Sequence, residues 1–150
     1  MSSEAVLWDQ IDKHRDELAK KRVHLGADHP ATLNTLGNLA SVVAERGRLA
    51  DAETMHAEEL ELTSSKLGCD HPSTLAAMGN LASVLRQRGK LKQAEDLHRK
   101  HLHLSSSKLG ANHPATLAAM GNLGLVLGKQ GKLTEAETIH RKEVELKAKA

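Results

Sequence analysis

The 150-residue chain contains no phenylalanine and no tyrosine, and Trp8 is its only aromatic side chain. Proteins that hold RNA loops or single strands stack bases on aromatic platforms, so that class of nucleic-acid binder is disfavoured at once. A net charge of +2 does not restore it, because phosphate binding needs a concentrated basic surface. The single cysteine, Cys69, cannot close an internal disulfide, which fits a reducing, cytoplasmic setting. No apolar run is long enough to span a membrane, and five acids by residue 17 are unlike a secretory signal. Proline is scarce too, with three residues, and all three stand in the same short phrase.

That phrase is LGADHPATLNTLGNLA at 25–40, LGCDHPSTLAAMGNLA at 67–82 and LGANHPATLAAMGNLG at 109–124. The spacing of 42 defines units 25–66, 67–108 and 109–150, and the last two agree at 23 of 42 positions without a gap. Self-similarity at such a period marks a repeat architecture. Within each unit, proline after histidine suits the first position of a helix, where a missing N–H is harmless. The residue before proline is pushed out of the helical region, which places His29, His71 and His113 at N-caps. Apolar residues then recur at helical spacing (Leu33, Leu36, Leu39, Val43) until Gly47, Gly89 or Gly131 stops the helix. A second helix opens at Leu49, Leu91 or Leu133 and runs to the next Leu-Gly pair. Residues 1–24 align with the second helix of a preceding unit, His14 and Leu18 matching His56 and Leu60. A lone helical hairpin cannot bury its apolar stripe, so the units must stack. The expected fold is all-α, a right-handed α-solenoid of antiparallel helix pairs with seven helices and two open ends.

The pattern LGxxHPxTL…NLA…G-K/R-L…AE, from Leu25 to Ala150, resembles the tetratricopeptide repeat, in the 42-residue form of kinesin light chains. The resemblance implies close helix approach at Ala40, Ala82 and Gly124 and at Ala52, Ala94 and Ala136. It also implies a non-catalytic adaptor that binds a peptide segment of a partner protein along a concave groove lined by the first helices. Three departures from the family accompany it. Val43, Leu85 and Leu127 stand where an aromatic is usual, as do His56, His98 and His140. Glu59, His101 and Glu143 stand where a small residue is usual.

Chemistry is harder to find. Six of the ten histidines occupy two fixed repeat positions and read as caps or packing. His98, His101 and His103 form the one local cluster. The first two share a helical face, but His103 points elsewhere and no thiol or carboxylate completes a tetrahedron, so no metal and no cofactor is expected. Cys69 replaces alanines of the other units, and the serine–lysine run at 105–108 repeats one at 63–66, so neither specifies an enzyme. Gly37, Gly79 and Gly121 are more telling, since each costs about 1 kcal/mol against alanine in mid-helix. Either a neighbouring helix packs on the bare backbone or a groove floor is kept open. The implied register favours the groove. Its expected lining is Gly37, Asn38, Ser41 and Glu45 in the first unit and Gly79, Asn80, Ser83, Arg86 and Gln87 in the second. In the third it is Gly121, Asn122, Leu125 and Lys129. The units carry net charges of −4, +4 and +2, which reads first as solvated faces; the alternative is that Arg86, Arg88, Lys90 and Lys129 steer an acidic partner segment to the middle. The competing expectation is self-association through the open ends.

Overall fold

In the computed structural model, which describes residues 3–149, the chain forms seven α-helices: α1 (Ser3–Leu25), α2 (Pro30–Glu45), α3 (Leu49–Leu67), α4 (Pro72–Gln87), α5 (Leu91–Leu109), α6 (Pro114–Lys129) and α7 (Leu133–Lys149). Among the described residues there is no strand. Met1, Ser2 and Ala150, the outermost residues of the first and last expected segments, lie outside the described residues. The helices α2, α4 and α6 start 42 residues apart, in phase with the repeated phrase.

Local chemistry sets these boundaries. Each first helix opens on proline, and the preceding histidine sits in extended backbone at φ −65° to −67°. Its Nδ1 accepts the backbone N–H two residues on, at 3.1 Å in all three units. At the other end, Gly47, Gly89 and Gly131 adopt φ of 79–89°, a conformation that strains any residue with a Cβ. They allow the following N–H to reach back to Val43, Leu85 and Leu127 carbonyls at 2.9–3.2 Å, the closing bond of a Schellman turn.

The chain divides into two compact units, residues 1–69 and 70–150. In the first, α1, α2 and α3 pack in sequence around Ile11, Leu18, Leu36, Leu39 and Val43. Trp8, at the edge, lies over the guanidinium groups of Arg46 and Arg48 at 4.7 and 5.9 Å, and Glu4 pairs with Arg46. In the second unit α4 to α7 pack in sequence, and the two first helices α4 and α6 also touch. Its core is aliphatic: Leu75, Met78, Leu85, Leu117, Leu123, Val126 and Leu127 are buried. The histidines that replace the family's aromatics join these cores, His56 in the first unit and His98 in the second.

Candidate functional site

The exposed stripe of each first helix follows from helical geometry: residues facing away from the second helix recur at three- and four-residue steps. In α4 the stripe is Ala76, Asn80, Ser83 and Gln87, with Ser83 half-buried. In α6 it is Ala118, Asn122, Leu125 and Lys129, with Asn122 half-buried. In α2 it is Asn34, Asn38, Ser41 and Glu45, all exposed. Asn38, Ser41, Glu45, Asn80, Gln87, Asn122, Leu125 and Lys129 therefore lie on the outer side of their helices.

The glycines do not. Gly37 is buried, Gly79 and Gly121 half-buried, and all three face the second helix of their own unit. A Cβ at Gly37 would overlap the carboxylate of Glu59. At Gly121 it would press on Glu143 at 3.1 Å, and at Gly79 it would only touch His101 at 3.5 Å. Two features of the sequence are thus one. At Gly37 and Gly121 a glutamate on the second helix takes the place of a small residue, and the glycine 22 residues earlier makes room for it. The open-floor reading is corrected at Gly37 and Gly121, where a glutamate fills the space. Both signals are visible in the chain, each repeated three times, but only their common offset of 22 connects them.

This arrangement has a measurable consequence. Gly79→Ala should stabilise the protein by about 1 kcal/mol, because alanine's helix preference is gained against an ordinary contact. Gly37→Ala should instead lose about 1 kcal/mol, since Glu59 must leave its 3.1 Å contact with the buried His56. Urea denaturation of both variants checks the sign difference.

The middle unit differs from the others at the position the glycine accommodates. Glu59 and Glu143 meet the neighbouring histidine Nδ1 at 3.1 and 3.5 Å. In α5 the counterpart is His101, so two imidazoles stand together and neither helps the other. His98 is 0% exposed with both ring nitrogens unpartnered, and His101 is 8% exposed with Nδ1 unpartnered. Burial, then the neighbouring His101 and Arg86, pushes the His98 pKa down to about 4. Burial also lowers that of His101. The half-buried guanidinium of Arg86 thus acts across the α4–α5 pair as well as bordering the stripe. His103 is exposed, apart from this pair. Among the described residues no three His, Cys, Asp or Glu side chains are grouped to hold a metal ion.

His101 is also the floor of a groove between α4 and α6. The hollow, about 400 Å3, is walled by Leu75, Ala76, Leu109 and Ala118, with Pro72 and His113 at its edge. Among the described residues no carboxylate lines it. Because His113 accepts an N–H through Nδ1, its neutral ring carries the proton on Nε2, as an outward donor.

One buried acid stands outside every sequence expectation. Glu95, 3% exposed, accepts from Gln130 at 2.7 Å, Arg99 at 2.8 Å and Lys132 at 2.9 Å. Those bonds, Lys132 first and then Arg99 and Gln130, hold its carboxyl down to about 2. The cluster ties α5 to the turn between α6 and α7. Nothing in the sequence marks Glu95 out, because its counterparts Glu53 and Glu137 look the same.

Antiparallel helix pairs built on a 42-residue unit define a helical-repeat protein of the solenoid class. The sequence pattern of the tetratricopeptide repeat family matches residues 31–105 and 80–149, and the chain belongs to that family. Its fold is kinesin light chain-like. The nearly identical TPR-like repeats of a Podosopora anserina protein assigned as a kinesin light chain superpose with a TM-score of 0.84 at 22% identity, over 95% of this chain and 68% of that one. A point variant of those repeats gives 0.86 with the same identity and coverage. BtubC (BKLC) from P. vanneervenii is more distant, with a TM-score of 0.58 and 12% identity over 100% of this chain and 76% of that one. Among curated proteins no sequence relative is found. Repeats of this family generally serve as non-catalytic modules for protein–protein interaction, and this chain is suited to that role. Among the described residues no helix is long and apolar enough to cross a membrane.

Proposed function

We propose that the protein is a non-catalytic adaptor, working in the cytoplasm, that binds a peptide segment of a partner protein along the first-helix face of its second unit. The observation that carries this reading is the acid-free apolar groove between α4 and α6, bordered by the polar stripe Asn80–Ser83–Gln87 and the mixed stripe Asn122–Leu125–Lys129. Short side chains let a peptide backbone come close, and the amides of Asn80 and Asn122 can exchange hydrogen bonds with it. The groove is open along its length, which suits a chain segment rather than a metabolite that must be enclosed. Arg86 and Lys129 at the far end of the two helices, and the His113 donor at the near end, favour acidic flanks on that segment.

Ala118→Trp tests the reading, because Ala118 is exposed and its replacement fills the groove without touching the core. Partners captured by the intact chain are identified by mass spectrometry, and their binding is remeasured with the variant. The expected result is a loss of at least tenfold in affinity with the helical circular dichroism unchanged. Equal affinity for every partner would move binding off this face.

A second reading rests on α7. Leu133 and Val144 are 69% and 65% exposed, whereas their counterparts Leu91 and Leu102 are half-buried. That uncovered face favours end-to-end stacking of copies. Sedimentation velocity from micromolar to millimolar concentration decides it: a constant monomer sinks the stacking reading.

A further inference from the structure

The second unit has another groove, on the side of its second helices. It runs between α5 and α7 over α6, holds about 330 Å3, and has Leu102, Met120, Leu123 and Ile139 at its base. His103, Ser106 and Lys142 stand at its rim. One end is closed by Arg99, which bonds Glu95 at 2.8 Å and Glu135 on α7 at 2.9 Å, so its charge is already answered. Lys142 is different. Among the described residues its ammonium has no hydrogen-bond or ion-pair partner, and it is exposed beside the hollow.

The first unit shows what the repeat does with the same place when it is closed. There, 84 residues earlier, the two rim positions are Arg22 on α1 and Glu58 on α3, and they pair across the helices at 3.4 Å. In the second unit those positions have become Ser106 and Lys142. The acid has been replaced by a base and the arginine by a short hydroxyl. What was a bridge is now an opening with one unmatched positive charge over an apolar base.

We propose that this α5–α7 groove is a second docking site, taking a partner segment that carries a carboxylate within a residue or two of a large aliphatic or aromatic side chain. The carboxylate occupies the place of the missing acid and pairs with Lys142. The apolar side chain fills the hollow over Leu123 and Ile139, and Ser106 and His103 offer hydrogen bonds to the backbone beside it. A volume near the lower end of the roughly 300–1,000 Å3 of ligand pockets suits one or two side chains. This site shares no lining residue with the α4–α6 groove and does not depend on it.

The test uses the intact chain, immobilised and panned with a phage-displayed library of random dodecapeptides. Enriched peptides are resynthesised and their affinities measured for four proteins: the native chain, Lys142→Glu, the double variant Ser106→Arg/Lys142→Glu, and Ala118→Trp. The double variant rebuilds the bridge of the first unit, so it should fold at least as well as the native chain while closing the groove. The expected result is a family of peptides with Asp or Glu next to Leu, Ile, Met, Phe or Trp. They should bind Lys142→Glu and the double variant at least tenfold more weakly, and Ala118→Trp unchanged. Peptides lacking an acid, or indifferent to both Lys142 variants, overturn the proposal. Peptides weakened only by Ala118→Trp overturn it while supporting the α4–α6 groove. An unenriched library also overturns it, as does dodecanoate alone shifting the Ile139 and Lys142 amide resonances, which would make the occupant a fatty acid.

Discussion

Acidification from pH 7 to 4.5 should destabilise the second unit by about 2 kcal/mol, and His98→Leu should remove most of that loss. The sign follows from the burial of a neutral imidazole. Folded, His98 titrates near 4; unfolded, it returns to the ordinary value of 6.5. Between those values the unfolded chain binds the extra proton, so stability is full above 6.5 and drains away as the pH falls toward 4. Among the described residues no carboxylate bonds the ring to offset the proton, and Arg86 opposes it. Leucine fills similar space without a basic nitrogen, and it also removes two unpartnered ring nitrogens. Amide hydrogen exchange in α4–α6, measured at both pH values, reads the effect where it originates. Trp8 fluorescence serves as the internal control, since it reports on the first unit. An undiminished pH dependence in His98→Leu would sink the assignment.

Glu95→Ala should cost about 2 kcal/mol, whereas Glu137→Ala, its counterpart one repeat on, should cost less than about 0.5 kcal/mol. Both glutamates pair with an arginine four residues later, at 2.8 and 2.6 Å. The difference is burial and number of bonds. Glu95 is buried and gathers three donors, so its removal strands Lys132 and Gln130 and leaves Arg99 only its Glu135 partner. The figure stays below the usual range for a broken buried pair because Lys132 and Arg99 side chains are 40% and 44% exposed and can rehydrate. The Glu137 pair is two-thirds exposed on both sides and is screened by water. The Glu95 contribution is present above the ordinary carboxylate value of 4.5 and is lost as the pH falls toward 2. It is therefore separated from the His98 window if measurements stay at pH 4.5 and above. Urea denaturation at pH 7 decides the comparison. Equal losses for the two variants would show that the three-donor cluster contributes nothing special.

Where the chain's own neighbours decide the conformation, the sequence is legible. Pro30, Pro72 and Pro114 with their histidine caps, and Gly47, Gly89 and Gly131 with their turns, put each of these helix ends within two residues of its expected place. The aliphatic core positions Leu36, Leu39 and Val43 follow from periodicity in the same way. Legibility fails where two distant residues must be read together. A mid-helix glycine looks identical whether it opens a groove or admits a carboxylate, and only Glu59 across the helix pair settles it at Gly37. Helical spacing puts Asn38, Asn80 and Asn122 on the outer side, but the glycines beside them belong to the hidden edge. Glu95 is illegible for the same reason: its three donors come from Arg99, Gln130 and Lys132, and two of these lie more than 30 residues away.

The pairing of each glycine with a bulky residue 22 positions later has a bearing on how such a chain can change length. Both members lie inside one 42-residue segment, so copying or deleting that segment as a block carries the complement along with the substitution. Bridges such as Arg22–Glu58 and Arg99–Glu135 behave oppositely, because their partners belong to successive blocks. Recombination between the near-identical phrases would thus leave these internal fits intact and reshuffle the contacts, charges included, that join one block to the next. The packing is inherited whole, while the joints are where new combinations arise.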